Sequence, residues 1–529
     1  MSAVLAAQPS SSGKPWTIAL VVTLATFMEL LDATVVNVAL PHIAGSLGAG
    51  QDESTWVLTS YLVANAIALP LSAWFAALLG RKRFYMLCVA LFTLASLACG
   101  LAPTLGALLL FRVIQGLVGG GLQPCEQAIL ADAFPPERRG MAFAVAGIAM
   151  VAAPMLGPTL GGFIIDHVSW RWIFFVNIPI GLVSLLLTGL LIEDPPHARR
   201  LRAGASLDYV GIGLIALTFG MLQVVLDQGE TKGWLDSPLI VWSSLATLAA
   251  GLSATLWELR HPQPVLDLRL LQSRFFAAAN VLLFLLYMTI FASTLLIPLM
   301  LQTHLGYTAA LAGLVMSPGA LINLVFMPLV GRLATKLPST LLICVGFLVC
   351  GLALLRFSGF NAETGMGAFV MARALIVLGI PFAFVPINLV AYRDIPPSKN
   401  NDASAILAVS RNIGSSVGIA VAITYLTRHI HFHYAHLAGQ FNPLDANHAG
   451  SLQLMVDAQR AAGASLPDAA AHAEALLARN YLAEQAAILA YMDDFAFFGM
   501  ISIGVAGLAC LLLLPGKSPA PPKVSAHEH

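Results

Sequence analysis

WTIALVVTLATFMELLDATVVNVAL, residues 16–40, is an apolar run of 25 residues interrupted by two acids, Glu29 and Asp32. At about 1.5 Å per residue, a helix of this length crosses the roughly 30 Å hydrocarbon core of a bilayer, for which about 20 residues suffice. The residues before it are polar and no small-residue cleavage site follows, so the run reads as a retained span rather than a removable leader. An acid at membrane depth is costly unless it faces a cavity or a partner. Glu29 and Asp32 are three residues apart and share one helix face, so that face must look into protein or water.

The rest of the chain repeats this pattern. Of 529 residues, 58% are hydrophobic and 10% charged, whereas a soluble domain carries about 25% charged residues. The surplus apolar surface requires lipid as solvent, so a bilayer is the first expected partner. Further runs fall near 57–79, 84–101, 106–130, 141–165, 172–192, 208–226, 238–256, 276–300, 310–331, 340–357, 366–391, 404–426 and 494–515, which makes 14 spans. An even number places both termini on one side. The connections on that side, with Arg81, Lys82, Arg83, Arg138, Arg139, Arg199 and Arg200 among their residues, hold 18 of the 27 Lys and Arg. Six lie on the opposite side, and Arg112, Arg373 and Arg411 lie within spans. By the positive-inside bias both termini are expected in the cytoplasm.

Lys plus Arg and Asp plus Glu both total 27, a balance that points neither to nucleic acid nor to an acidic partner. The six cysteines lie in apolar stretches without CxxC pairing, and are expected to be small core residues. Neither a metal nor a cofactor is expected. His429, His431, His433 and His436 open a long connection before the last span, where alternating histidines suit a metal. No Cys or carboxylate joins them in the sequence, and a solvated loop start explains them equally well.

The chain also carries an internal repeat. Pro70-Leu71 is echoed by Pro328-Leu329 at an offset of 258, and Arg112 to Pro124 by Arg373 to Pro386 at 261 and 262. A near-constant shift implies a duplicated six-helix unit, and such repeats place a substrate cavity near the membrane midplane between halves that rock. The expected fold is an all-α polytopic membrane protein of two six-helix bundles plus two inserted helices. Its parts are a cytoplasmic N-terminus (1–15), a first bundle (16–192), a linker with two inserted spans (193–275), a second bundle (276–515) that includes an external insertion (427–493), and a cytoplasmic tail (516–529). Within the insertion, Ser465, Pro467 and Asp468 form a helix-start signal.

The few ionisable groups inside spans are the candidates for function. Glu29 and Asp32, close together and in lipid, are suited to take up and release a proton near neutral pH. The alternative is a permanent Asp32–Arg112 salt bridge with Glu29 pointing into water. Arg112, Gln115, Gly116, Gly119 and Gln123 fall on one stripe of the fourth span, and an arginine there needs an anion, for which Asp32 is the natural choice. Glu126, read as a turn from the cytoplasmic end, is a further candidate acid. Pro154, Gly157, Pro158, Gly161 and Gly162 concentrate helix breakers in the fifth span and imply a bend or a close helix contact. Phe27, Met28, Tyr287, Phe291, Asn388, Arg373 and Arg411 are candidates to line the cavity, or alternatively to face lipid or neighbouring helices.

These residues resemble the 14-helix drug:proton antiporter branch of the major facilitator superfamily, of the EmrB/QacA type. LDATVVNVALP at 31–41 looks like that branch's first-span motif, RVIQG at 112–116 like its fourth-span motif, and Gly157, Pro158, Gly161 and Gly162 like its antiporter motif. Trp170, Arg171, Trp172, Ile173, Phe174, Asn177, Pro179 and Gly181 are similar to its WRW-F-N-P-G signature, and Phe441-Asn442-Pro443 to a segment of the EmrB-like members. The resemblance implies a major facilitator fold in a bacterial inner membrane. It also implies export of hydrophobic or amphipathic drugs against proton entry, Asp32 and Arg112 in the coupling site, and a periplasmic adaptor and outer-membrane channel as partners. In one place the chain departs from the family. Ala73, Ala77 and Leu78 replace the Gly, Asp and Arg of the superfamily's loop between spans two and three, leaving Gly80 and Arg81. A weaker cytoplasmic latch is therefore expected, with Arg81 leaning on a helix C-terminus instead.

Competing readings are a proton-coupled symporter and an exporter of one metabolite, such as an aromatic or fatty acid. A membrane enzyme would need a catalytic set such as HExxH, and an ATP-driven pump a GxxxxGK[ST] loop. The sequence contains neither.

Overall fold

Inside lipid a chain must satisfy every backbone N–H and C=O internally, so apolar runs of this length become helices. The structure, a computed structural model, describes residues 15–193, 208–262, 264–361, 363–438, 446–461, 463 and 465–513. Among them, 14 helical segments are long and apolar enough to cross a membrane. The first bundle comprises α1 (Pro15–Leu47), α2 (Gln51–Leu79), α3 (Arg81–Gly100), α4 (Leu105–Gly119), α5 (Leu122–Ala133), α6 (Pro136–His167), α7 (Trp172–Phe175) and α8 (Asn177–Leu191). After the inserted α9 (Tyr209–Gln228) and α10 (Pro238–Arg260) come α11 (Arg274–Thr303), α12 (Ala309–Met316), α13 (Pro318–Leu333), α14 (Ser339–Phe357), α15 (Met366–Ala391), α16 (Asn400–Ala438), α17 (Ala446–Ala461) and α18 (Leu466–Leu512). Phe441, Asn442, Pro443, the residues up to Lys14, Arg199 and Arg200, and the tail from Pro515 onward lie outside the described residues.

Three spans expected to be continuous are broken, the sixth span at Val176 between α7 and α8. The fourth divides between α4 and α5 at Gly120-Gly121, where a Cβ on Gly120 would meet Asn65 O at 2.7 Å and one on Gly121 would meet Cys88 Sγ at 2.7 Å. Glycines there let α2 and α3 close on the break. The tenth divides at Ser317, because Pro318 has no N–H to continue the ladder. One of the six cysteines, Cys510, is exposed rather than in the core, although its Sγ lies 3.0 Å from Cys344 Sγ.

The inserted pair stands beside the seam between the bundles. α9 packs on α2 and on α16, and α10 packs on α9 with Trp242, Leu248 and Leu252 turned outward. Gln223 of α9 accepts from Ser416 Oγ of α16 at 3.1 Å, while Asp227 accepts from Thr59 of α2.

We call the face on which α1 begins and α18 ends the terminal face, and the opposite one the distal face. α16 and α18 have 39 and 47 residues, about 58 and 70 Å at 1.5 Å per residue, and so project well past the distal face. The helix start read at Ser465 is present, with Ser465 Oγ accepting from Asp468 N–H at 3.3 Å. α17 folds back on α18 through Val456, Ala469 and Ala473. The four histidines therefore sit on a continuing helix and not at a loop start, and a carboxylate does join them: His433 Nε2 lies 2.6 Å from Asp493 Oδ2. α16 persists there because α18 runs alongside it, with Tyr425 stacked on Phe497 at 4.7 Å.

On the terminal face the bundles are tied together. Arg81 is buried, donates from Nη1 to Ala128 O near the end of α5 at 3.0 Å, and is ion-paired with Asp132. Asp132 also accepts from Asn400 Nδ2, on the first residue of α16 in the other bundle. α6 and α13 cross at glycines, where a Cβ on Gly331 would meet Gly140 O at 3.1 Å. Arg81 reaches α5 near its C-terminal end, as expected, and the structure adds there an acid that the reading of a weaker latch did not include. Asp132 supplies the acid that Ala77 lacks, because a buried guanidinium requires an anion. A charge-assisted hydrogen bond contributes about 1.5–3 kcal/mol, which is roughly tenfold or more in the ratio of closed to open forms. Asp132→Ala should accordingly speed labelling of a cysteine at the cavity floor by an impermeant thiol reagent added from the terminal face. An unchanged labelling rate would refute the latch.

Candidate functional site

The site is built around Arg112, which α4 carries into a dry space between α1, α2 and α8. Its Nη1 donates to Asp32 Oδ2 at 2.6 Å, and both side chains are fully buried. Nη1 also donates to Gln115 Oε1 at 2.8 Å, Nε donates to Val57 O at 3.1 Å, and the guanidinium lies 4.2 Å from the centre of the Tyr61 ring. Asp32 Oδ1 accepts from Gln115 Nε2 at 3.1 Å and from Asn177 Nδ2 at 2.7 Å. Asn177 Nδ2 is held in turn by Ser96 Oγ at 3.0 Å. The carboxylate has three donors around it and the cation has acceptors at Nη1 and Nε, while Nη2 has none among the described residues and the guanidinium lies beside the Tyr61 ring; burial of the charge pair rests on these bonds.

Glycines bring these helices close enough. Gly116 faces the backbone of Tyr61, and Gly181 faces Thr93 so closely that any side chain would overlap it. The antiporter-motif glycines divide by the same measure. A Cβ on Gly157 would meet Thr34 Cβ at 2.8 Å and one on Gly161 would meet Val35 Cγ1 at 3.0 Å, whereas Gly162 has nothing within 4 Å. Of the two readings offered for this stretch, the close contact is what the structure contains: α6 is continuous and packs along α1. Overpacking a tight contact costs about 1–3 kcal/mol. Gly157→Val is therefore expected to lower the melting temperature by several degrees and Gly162→Ala to leave it unchanged; equal effects would contradict this division.

Glu29 occupies a different environment from Asp32. Its Oε1 accepts from Tyr61 Oη at 3.0 Å and Asn65 Nδ2 at 3.2 Å, while Oε2 has no partner among the described residues. It lines a cavity of about 160 Å³ between the bundles, together with Gln123, Pro154, Tyr287, Phe291 and Arg411. Tyr61 thus joins the two acids, with its hydroxyl on Glu29 at the cavity wall and its ring under the arginine that holds Asp32. The cavity is smaller than the roughly 300–1,000 Å³ of drug-sized pockets, so a large ligand requires the bundles to part.

Other candidates fall in and out of this site. Glu126 is buried and accepts from Thr23 Oγ1 at 2.7 Å, and it sits about two turns from the end of α5 rather than one. Phe27 and Met28 do not line the cavity. They pack into apolar clusters because their directions on α1 diverge from that of Glu29. Asn388 is buried and bonded to Phe384 O at 2.8 Å, away from the cavity. Arg373 donates to Ser293 Oγ at 3.2 Å and Thr294 Oγ1 at 3.1 Å, beside a smaller adjoining cavity of about 30 Å³. The separation is 80 residues for both Asp32–Arg112 and Ser293–Arg373, so the repeat places a serine in the second bundle where the first has its acid. The side chain of Pro158 lies outside the described residues.

Tyr61, Asn65 and Gln223 were not anticipated. Asn65 and Gln223 are polar residues inside apolar spans and carried a usable signal, whereas a tyrosine in such a span carries none. Asn177 was visible only as part of a signature.

A family model described as Major Facilitator Superfamily matches residues 22–419. Over 430 residues the chain is 36% identical to the multidrug export protein EmrB of Escherichia coli (strain K12), which is 80% of this chain and 83% of that protein. Over 423 residues it is 34% identical to the fatty acid resistance protein FarB of Neisseria gonorrhoeae, covering 80% and 83% of the two chains. Among solved structures, the proton:xylose symporter XylE bound to 6-bromo-6-deoxy-D-glucose superposes with a TM-score of 0.59 at 15% identity, over 95% of this chain and 96% of that one. This last likeness is one of fold alone.

Proposed function

The chain belongs to the Major Facilitator Superfamily, and from that premise we propose that it is a multidrug efflux transporter that exports hydrophobic or amphipathic compounds in exchange for protons. The observation that carries the coupling is the Asp32–Arg112 pair, sealed from solvent yet joined through Tyr61 to Glu29 at the cavity wall. A proton arriving at Asp32 removes the negative charge that holds Arg112, and the two can no longer satisfy each other. The helices that carry them, α1 and α4, both pack on α2, which in turn packs on α16 across the seam along which the bundles must move. Substrate and proton thereby compete for one arrangement of the site, which is the requirement for exchange. No catalytic residue is assigned, and the proton gradient is the energy source.

In this reading the terminal face is cytoplasmic, the chain lies in a bacterial inner membrane, and the Arg81–Asp132–Asn400 tie closes the cytoplasmic side. The projecting distal ends of α16 and α18, with α17 against them, offer a docking platform for a periplasmic adaptor that leads to an outer-membrane channel. Support for export comes from the relatives named for multidrug export and fatty acid resistance.

The test uses inverted vesicles with an acidified interior and a pH-sensitive dye. Adding substrate drives it inward and protons outward, so the dye should report alkalinisation of the lumen. If substrate uptake acidifies the lumen or leaves it unchanged, the antiport reading fails.

A further inference from the structure

We infer that a second cavity, on the terminal face, binds the phosphate of an anionic phospholipid between Arg139 of the first bundle and Arg393 of the second, and that the bound headgroup favours the closed terminal face. The inference rests on the membrane reading and is independent of export.

Five helix ends meet around this cavity: the starts of α6, α11 and α14 and the ends of α15 and α18. All five lie at the terminal face, so the cavity sits at the depth where lipid headgroups meet the ends of spans. It encloses about 430 Å³, against about 160 Å³ for the cavity between the bundles. Arg139 and Arg393 both line it, and none of its lining residues is an acid. Two cations in one recess favour an anion there.

The acids nearby do not meet that demand. Arg393 lies over the Phe275 ring at 4.6 Å, and Asp394 Oδ1, 4.0 Å from its Nε, forms with it an exposed pair of little weight. Arg139 is half-buried, with Nε donating to Phe134 O at 3.3 Å. The acids that act on its charge are Asp132, already held by Arg81 and Asn400, and Glu137, which is exposed.

Other donors converge on the same recess. α14 opens there with Ser339 and Thr340, and its N-cap, Pro338, has no side-chain acceptor. The first N–H groups of a 19-residue helix are thus left to solvent or a ligand. Tyr392 also lines the cavity, is 3% exposed, and has no partner for its Oη among the described residues. A phosphodiester brings acceptor oxygens for guanidinium forks, helix N–H groups and hydroxyls together. The apolar wall given by Phe275 and Leu513 selects a lipid over a free phosphate, because it receives the carbons next to the headgroup.

Arg139 belongs to α6 and Arg393 follows α15, so an anion held by both spans the seam beside the Arg81–Asp132–Asn400 tie. Tyr392 stacks on Phe143 of α6 at 5.4 Å, which closes the recess only while the bundles touch on this face. Parting them divides the two cations. A headgroup that needs both therefore binds the closed form better and shifts the equilibrium towards it.

The first test is thermal unfolding of the purified full-length chain in detergent with added phosphatidylglycerol, phosphatidylcholine or inorganic phosphate. Phosphatidylglycerol should raise the melting temperature by several degrees, and the other two should leave it unchanged. Arg139→Gln with Arg393→Gln should abolish the rise. Arg83→Gln with Arg260→Gln, which removes two exposed charges of the same face outside the cavity, should keep it. A rise that survives the cavity variant, or is lost equally in the control, would overturn the inference, and an equal rise with inorganic phosphate would overturn the choice of a lipid. Should the cavity variant not fold, Ser339→Trp, which fills the recess and leaves both arginines, takes its place. The second test is the labelling of a cavity-floor cysteine from the terminal face. Labelling should be slower in nanodiscs containing phosphatidylglycerol than in phosphatidylcholine alone, and the cavity variant should lose the difference. Equal rates in the two lipids would refute the closing role. Neither measurement involves transport, so a failure of the export reading leaves both standing.

Discussion

Asp32→Asn should leave the protein folded in the membrane and unable to concentrate substrate. Asparagine keeps the shape of the side chain and an oxygen that can still accept from Arg112 or Asn177, so the packing of α1, α4 and α8 survives at a cost of about 1–3 kcal/mol. What is lost is the group that can carry a proton. One proton entering down 100 mV supplies about 2.3 kcal/mol, enough to hold an uncharged substrate at roughly a 50-fold concentration ratio. Without coupling that ratio falls to about one, because nothing links substrate movement to the gradient. The measurement is steady-state accumulation of a labelled uncharged substrate in energised inverted vesicles, with binding measured in parallel to show that the site persists. Glu29→Gln provides the contrast. Glu29 lies at the cavity wall and is bonded only to neutral groups, so its loss should slow transport and lower the ratio less. If Asp32→Asn still accumulates substrate while Glu29→Gln does not, the coupling role belongs to Glu29.

How far such a site can be read from sequence depends on the forces involved. The membrane spans were legible because lipid leaves a chain few options, and Asp32–Arg112 because a charge in lipid must find its opposite. The second arginine of the repeat, Arg373, was legible by position, but nothing in the sequence said that Ser293 would face it in place of an acid. Contacts that bridge elements were not visible. Asp132 replaces the missing acid at Ala77 from 51 residues beyond Arg81, and only the folded chain brings the two together with Asn400. Phe27 and Met28 directly precede Glu29 in sequence and are cavity candidates on that ground, with neighbouring helices as the alternative, yet each step along a helix turns a side chain by about 100°, so neighbours of a cavity residue point elsewhere. The break at Gly120-Gly121 was hidden for a related reason. Glycine in a span is compatible with continuous helix, and only the approach of α2 and α3 decides otherwise.

Arg112→Met should be the most destabilising single change at the site, and removing Asp32 as well should undo most of the damage. Methionine fills the volume beside Tyr61 and Phe174, but it leaves Asp32 as a buried carboxylate without a cation. Breaking one side of such a pair costs about 3–5 kcal/mol, whereas replacing both charges with apolar groups is often neutral. The double variant Asp32→Leu with Arg112→Met should therefore melt close to the unaltered chain, well above Arg112→Met alone. Gln115 and Asn177 then lose their shared acceptor, so recovery stops short of complete by about 1–3 kcal/mol. Neither variant should transport against a gradient. Thermal unfolding of the purified chain gives the stability difference and the vesicle assay gives the coupling. A double variant as unstable as the single one would show that the pair holds the bundle together, and its burial would then need no functional explanation. Recovery of stability without recovery of transport would mean that the chain retains an expensive buried charge pair because exchange depends on breaking and remaking it.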